Sequence, residues 1–108
     1  MSVVYIAGKI TGDPDYKQKF GAAAETLEAM GLIVLNPAIL PEGMNPEDYM
    51  RICLAMVESA HSVIFLPGWE LSAGAQVERM WARYARRPCF EFRDFVATFG
   101  GNRQKNTV

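Results

Sequence analysis

Apolar residues in this chain come in short runs, separated by stretches with helical spacing. The run Val3-Val4-Tyr5-Ile6-Ala7 is β-branched and aromatic and closes on Gly8, the pattern of a buried strand. From about Tyr16 to Met30 the period changes. Phe20, Ala23, Ala24, Leu27 and Met30 fall on one helical face, and Gly31 stands where a left-handed residue ends a helix. Residues 32–37 (LIVLNP) read as a second short strand. Asn45 and Pro46 predict a second helix, with a side-chain cap at Asn45, proline at the first helical position, and Glu47 and Asp48 at the positive end of the dipole. That helix runs to about Ser59 with Tyr49, Ile52, Cys53, Met56 and Val57 as its apolar face. A third strand over 62–66 (SVIFL), a third helix over about 73–84 and a fourth strand over 87–92 (RPCFEF) follow. Residues 93–99 read as a short helix or a further strand, and 100–108 as a polar tail.

Short apolar strands alternating with helices of three to four turns predict an α/β fold. The expected form is a three-layer α-β-α domain around an open parallel sheet of four to five strands, flavodoxin- or Rossmann-like. With 108 residues there is room for one such domain, taken as residues 1–99. Ligands of such sheets bind beyond the carboxyl ends of the strands. That edge collects the three glycine- and proline-rich loops, Gly8–Asp15, Asn36–Asn45 and Pro67–Gly74. The middle loop is long for so small a chain, a feature often tied to function.

Composition narrows the function classes. A 50% hydrophobic content argues against disorder, and a net charge of -1 argues against a nucleic-acid polymer as partner. The charge is uneven: residues 1–50 hold three Lys/Arg against seven Asp/Glu, and 51–108 hold eight against five. The basic excess lies mostly in Arg79, Arg83, Arg86 and Arg87, read as a solvated helix face or a local patch. Cys53 and Cys89 sit in apolar stretches without a CxxC or disulfide-framework spacing, so free thiols and a cytoplasmic setting are expected. No apolar run reaches 18 residues and the start lacks a basic leader, so neither a membrane partner nor a signal peptide is expected.

The candidate chemistry lies in the loops. The first loop is neither GxGxxG nor a P-loop, since its glycines stand at 8 and 12 and no GK[ST] follows. Gly8 and Gly12 either let the backbone turn or present its donors to a ligand, with Ile10 beside them. Ser72 opens the third helix among Ala73, Gly74 and Ala75. It can be an ordinary cap, a small anion site, or both. Trp69, in a polar loop, can pack that loop down or stack on a base. Glu78 is the sharpest residue, because its helical neighbours Gly74, Ala75, Trp81 and Ala82 are all uncharged. A carboxylate on that face is costly unless hydrogen-bonded, and such groups gather at reactive sites. It can attack a sugar's anomeric carbon or stabilise an oxocarbenium-like state. The alternative is a boundary glutamate paired with Arg79 or another arginine nearby. Asp13, Asp15 and Asp48 are further acids on the same edge, equally suited to turn or cap duty. His61, at a helix end, can cap the last carbonyls. No cluster has metal-ligand spacing, so neither a metal nor another cofactor is expected.

The segments YIAGKITG (5–12) and LPGWELSAGAQVE (66–78) resemble the DUF4406 family of small bacterial and phage proteins, over about residues 3–90. That family is similar in turn to the nucleoside 2-deoxyribosyltransferase and nucleotide N-hydrolase superfamily. There an S-x-G-x-x-x-E motif supplies the glutamate that attacks the anomeric carbon. The resemblance puts Glu78 in that role, Ser72 and Gly74 against a 5'-phosphate, and Tyr5 with Gly8 at the sugar. It implies cleavage or transfer of the N-glycosidic bond of a nucleoside or its 5'-monophosphate. It also implies a homodimer or higher homo-oligomer. An aspartate usual on the second helix is matched here by Cys53, and one usual at the start of the third strand by His61. A thiol cannot replace a carboxylate as general acid. Either Asp13 or Asp15 then supplies the acid, or catalysis is weak, or the site only binds. Trp69 and Ile10 complete the binding set, and the alternatives to an enzyme are a nucleotide-binding module that does not turn over or a phage accessory protein on the same fold.

Overall fold

The computed structural model describes residues 2–100. Strands β1 (Val3–Ala7), β2 (Ile33–Leu35), β3 (Ser62–Phe65) and β4 (Cys89–Glu91) form one sheet in the order β2-β1-β3-β4. Every pairing is parallel, with Val3 opposite Ile33, Tyr5 opposite Val63, and Ile64 opposite Phe90. Helices α1 (Tyr16–Ala29), α2 (Pro46–Ser59) and α3 (Ala73–Tyr84) connect them, and α4 (Phe92–Phe95) leads into a wider turn over Val96–Gly100. Segment 93–99 is therefore helical, which leaves four strands. The expected polar tail lies, beyond Gly100, outside the described residues.

Alternation along β1 sorts the core into two layers. Val4 and Ile6 join Phe20, Ala23, Ala24 and Leu27 of α1 and Phe95 of α4 on one face. Tyr5 and Ala7 join Cys53 and Val57 of α2 and Ala82 of α3 on the other. A side chain that points down a strand of period two cannot belong to both layers, so Tyr5 is committed to the α2/α3 side.

The ends of the elements refine the expectations. Gly31, just past α1, adopts φ 87°, where other residues are strained. The second strand is shorter than 32–37, because Asn36 accepts a bond from the Ala38 N–H at 2.9 Å and starts a 3₁₀ turn over Pro37–Ile39. The fourth strand is likewise trimmed to Cys89–Glu91. Pro46 starts α2 as expected, but Asn45 caps without its side chain. Its carbonyl accepts from the N–H groups of Asp48 and Tyr49 instead. His61 does not cap α2. Its Nδ1 accepts from the Val3 N–H at 2.9 Å while its own N–H donates to the Val3 carbonyl at 2.7 Å, so it extends the β1–β3 ladder by one rung. The carbonyl of Glu58 near the end of α2 is met by Arg87, whose guanidinium donates to it at 2.8 Å. Both cysteines are free, Cys53 buried and Cys89 half-buried. No helix among the described residues is long and apolar enough to cross a membrane.

Candidate active site

The order β2-β1-β3 reverses direction between β1 and β3, and the loops leaving those two strands splay apart there. On the α2/α3 side of this point lies a cleft of about 460 Å³. All three loops expected at the carboxyl edge reach it. The first contributes Gly8, Ile10 and Thr11, the second Pro37 and Met44, and the third Ser72 with Ala73 and Gly74 at the start of α3. Tyr49, Met50 and Cys53 of α2 and Tyr5 and Glu78 complete its walls.

Among the described residues Glu78 is the one charged side chain in the buried core, 6% exposed. Its partner is not Arg79. The Tyr5 hydroxyl, buried beneath α3, donates to Glu78 Oε2 at 2.7 Å. Burial pushes the Glu78 carboxyl from the ordinary 4.5 up to about 7, and contact with the Tyr5 hydroxyl and Cys53 thiol offsets only part of that rise. Burial and then the neighbouring carboxylate raise the Tyr5 phenol well above 10. The Cys53 thiol, also desolvated, rises to about 11. Glu78 is thus the group of this trio whose charge changes near neutral pH.

The small residues around the trio shape the cleft. A Cβ at Gly8 would stand 3.1 Å from Phe20 Cζ and 3.3 Å from Leu66 Cβ, so the missing atom lets the first loop lie against the sheet edge without displacing those side chains. A Cβ at Gly74 would meet Met50 Sδ at 3.6 Å and occupy space between α2 and α3. Ser72 caps α3, its Oγ accepting the Ala75 N–H at 3.1 Å. The first N–H groups of a helix have no intrahelical partner, and Ala73 and Gly74, the first two residues of α3, line the cleft.

Three of the sequence candidates are placed elsewhere. Asp13 accepts from Lys19 Nζ at 2.9 Å through one oxygen and from the Asp15 N–H at 2.9 Å through the other. It borders a separate cavity on the α1/α4 side, with Lys9, Phe20 and Arg93. Asp15 precedes α1 and is exposed. Neither carboxylate lines the Glu78 cleft, because the loop turns over the α1 layer after Thr11. Trp69 does not line it either. Gly68, at φ 86°, turns the chain into a 3₁₀ segment over Trp69–Leu71. The indole then packs 4.8 Å from the Phe65 ring, donates to Glu91 Oε2 at 3.0 Å, and lies under the Arg79 guanidinium at 5.4 Å. It packs the loop down, toward β4. Met44 and Met50 are wall residues that the pattern did not single out, and Tyr49, read there as part of the apolar face of α2, is a wall residue too. Among the described residues no three His, Cys, Asp or Glu side chains gather to hold a metal ion.

A parallel α/β domain with a cleft at its switch point, and a desolvated carboxyl group inside it, has the architecture of the open-sheet proteins. Within that class residues 2–90 match the family described as a domain of unknown function, DUF4406, and the chain belongs to it. No curated protein matches the chain. Among solved structures it is similar to a 2-desoxiribosyltransferase from Leishmania mexicana, with a TM-score of 0.69 at 14% identity. The similarity covers 84% of this chain and 63% of that one. At that identity it is a likeness of fold.

Proposed function

We propose that the protein cleaves or transfers the N-glycosidic bond of a nucleoside or nucleoside 5'-monophosphate, with Glu78 as the nucleophile. The observation that carries this reading is the buried Glu78 carboxyl in the wall of the cleft, bonded through Oε2 to Tyr5; its other oxygen, Oε1, is the atom we assign to the substrate carbon. The Tyr5 hydroxyl fixes the carboxyl plane and favours its ionised form. A sugar over Gly8 and Gly74 meets backbone rather than side chains, and a 5'-phosphate has the Ser72 end of α3. The likeness of fold to a 2-desoxiribosyltransferase supports the same chemistry.

A second reading is binding without turnover, favoured by Cys53 in place of a carboxylate. The two separate on one experiment. Wild type and Glu78→Gln are incubated with nucleosides and 5'-monophosphates, with a second base added to detect transfer, and free base is read by chromatography. Release by wild type that is lost in Glu78→Gln supports the enzyme. Equal release by both proteins contradicts the nucleophile, and calorimetric binding of a nucleotide without release supports the binding module.

The expected self-association has support in one face of α3. Val77, Met80 and Tyr84 lie at helical spacing and are 45%, 70% and 79% exposed. Val77 also borders the cleft, so a second copy docked there would stand at its mouth.

A further inference from the structure

Breaking an N-glycosidic bond to a neutral base leaves an electron pair on a ring nitrogen, which normally must be protonated as it departs. The cleft offers no group suited to that task. Among its described lining residues Glu78 is the one carboxyl, and none is a lysine, arginine or histidine. The Tyr5 hydroxyl already donates to Glu78. The Tyr49 hydroxyl already donates to the Pro41 carbonyl. Cys53 holds its proton up to about pH 11. Asp13 is bound to Lys19 on the other side of the sheet. Apart from the Thr11 and Ser72 hydroxyls, which are too weakly acidic for that task, the rest of the lining is apolar or soft, with the Met44 and Met50 side chains and the Tyr49 ring beside one acidic group. Such a surface suits a flat organic cation: thioethers are polarisable, aromatic faces attract positive charge, and no fixed cation opposes it.

We propose that the substrates of this cleft are nucleosides, or their 5'-monophosphates, whose base is already a cation at the ring joined to the sugar, a pyridinium or an N-alkylated purinium. This inference rests on the N-glycosidic reading above. The step needs no acid. Glu78 Oε1 forms a bond to C1' while the C1'–N bond breaks, and its electron pair neutralises the ring cation, so the base leaves without taking a proton. Water then attacks C1', the ester electron pair returns to Glu78, and one proton passes to solvent. The cation also prepares its own nucleophile, because a positive charge beside a desolvated carboxyl favours the ionised form.

The test compares matched probes on the full chain at pH 7.5. Nicotinamide riboside is set against its reduced, uncharged dihydropyridine form, and 7-methylguanosine against guanosine, with 2'-deoxyadenosine as a further neutral substrate. Each is run with wild type, with Glu78→Gln and without protein. A positioned general acid contributes about 100-fold or more. The expected result is therefore that wild type accelerates release of the cationic bases over the uncatalysed rate at least 100-fold more than release of their neutral partners, with the acceleration lost in Glu78→Gln. Comparable acceleration of neutral nucleosides, still dependent on Glu78, overturns the proposal and leaves the N-glycosidic reading intact. No acceleration of any probe, or equal acceleration by Glu78→Gln, overturns both. The cation–neutral comparison is made within the wild-type protein, so it does not depend on the folding of the variant.

Discussion

A desolvated carboxyl group leaves a signature in the pH dependence of folding. Burial raises the Glu78 pKa from 4.5 to about 7. In the unfolded chain the group ionises near its ordinary value, while in the folded chain it resists ionisation until about pH 7. The difference disfavours the ionised folded protein by about 3 kcal/mol. The sign follows from proton counts. Between pH 4.5 and 7 the folded state binds more protons than the unfolded state, so this contribution is full below pH 4.5, falls across that window, and stays low above it. Glu78→Gln keeps an acceptor for the Tyr5 hydroxyl and cannot ionise. The variant should match wild type within about 1 kcal/mol at pH 4.5 and exceed it by about 2–3 kcal/mol at pH 8.5. Urea unfolding of both proteins followed by far-ultraviolet circular dichroism, at intervals from pH 4.5 to 8.5, isolates this group, because every other titration cancels in the difference. A difference that stays constant with pH refutes the desolvated carboxyl.

Tyr5→Phe removes the bond that partly holds the Glu78 pKa down, so the titration of Glu78, followed by carbon-13 resonance of its carboxyl, should move upward; an unchanged or lower midpoint counts against the pairing. Gly8→Ala pushes a methyl group into Phe20 and Leu66 and should cost about 2 kcal/mol in urea unfolding, whereas a loss under 0.5 kcal/mol contradicts the close approach. Ser72→Ala should cost about 1 kcal/mol as a lost cap and raise KM for a 5'-monophosphate more than for the parent nucleoside; an equal change for both denies it a phosphate role. Met80→Glu introduces charge into the exposed α3 stripe and should shift sedimentation toward monomer; identical sedimentation of variant and wild type argues against that face.

The layers of the fold were legible because β1, β3 and α1 carry unmixed signals: an apolar run closed by Gly8, a second one over SVIFL, and a 3.6-residue period ending at Gly31. Segment 93–99 was ambiguous because a short apolar stretch fits either period, and packing of Phe95 onto the α1 layer decided it. Within the site, Glu78 was visible through its uncharged helical neighbours and Ser72 through its cap position. The Tyr5–Glu78 bond was not, since 73 residues separate the two and only the β1–α3 packing brings them together. Tyr49 and Met50 wear the same helical pattern as α2 core residues, so no periodicity distinguishes a cleft wall from a core face. The placement of Asp13, and the choice between packing and stacking for Trp69, were not legible for a different reason. Each residue follows a left-handed glycine, Gly12 for one and Gly68 for the other, and composition carries no record of the direction such a residue gives the chain.

A nucleophilic Glu78 carboxylate forms a covalent bond to a sugar carbon. The most direct measurement is peptide mapping by mass spectrometry of protein quenched during incubation with 2-deoxy-2-fluoro nucleosides, neutral and pyridinium, whose sugars leave such an ester slowly. The expected result is a mass increase equal to one fluoro-sugar on the peptide that contains Glu78, together with one equivalent of released base, and neither in Glu78→Gln. Base released with no adduct on that peptide, or an adduct on any other residue, would contradict it.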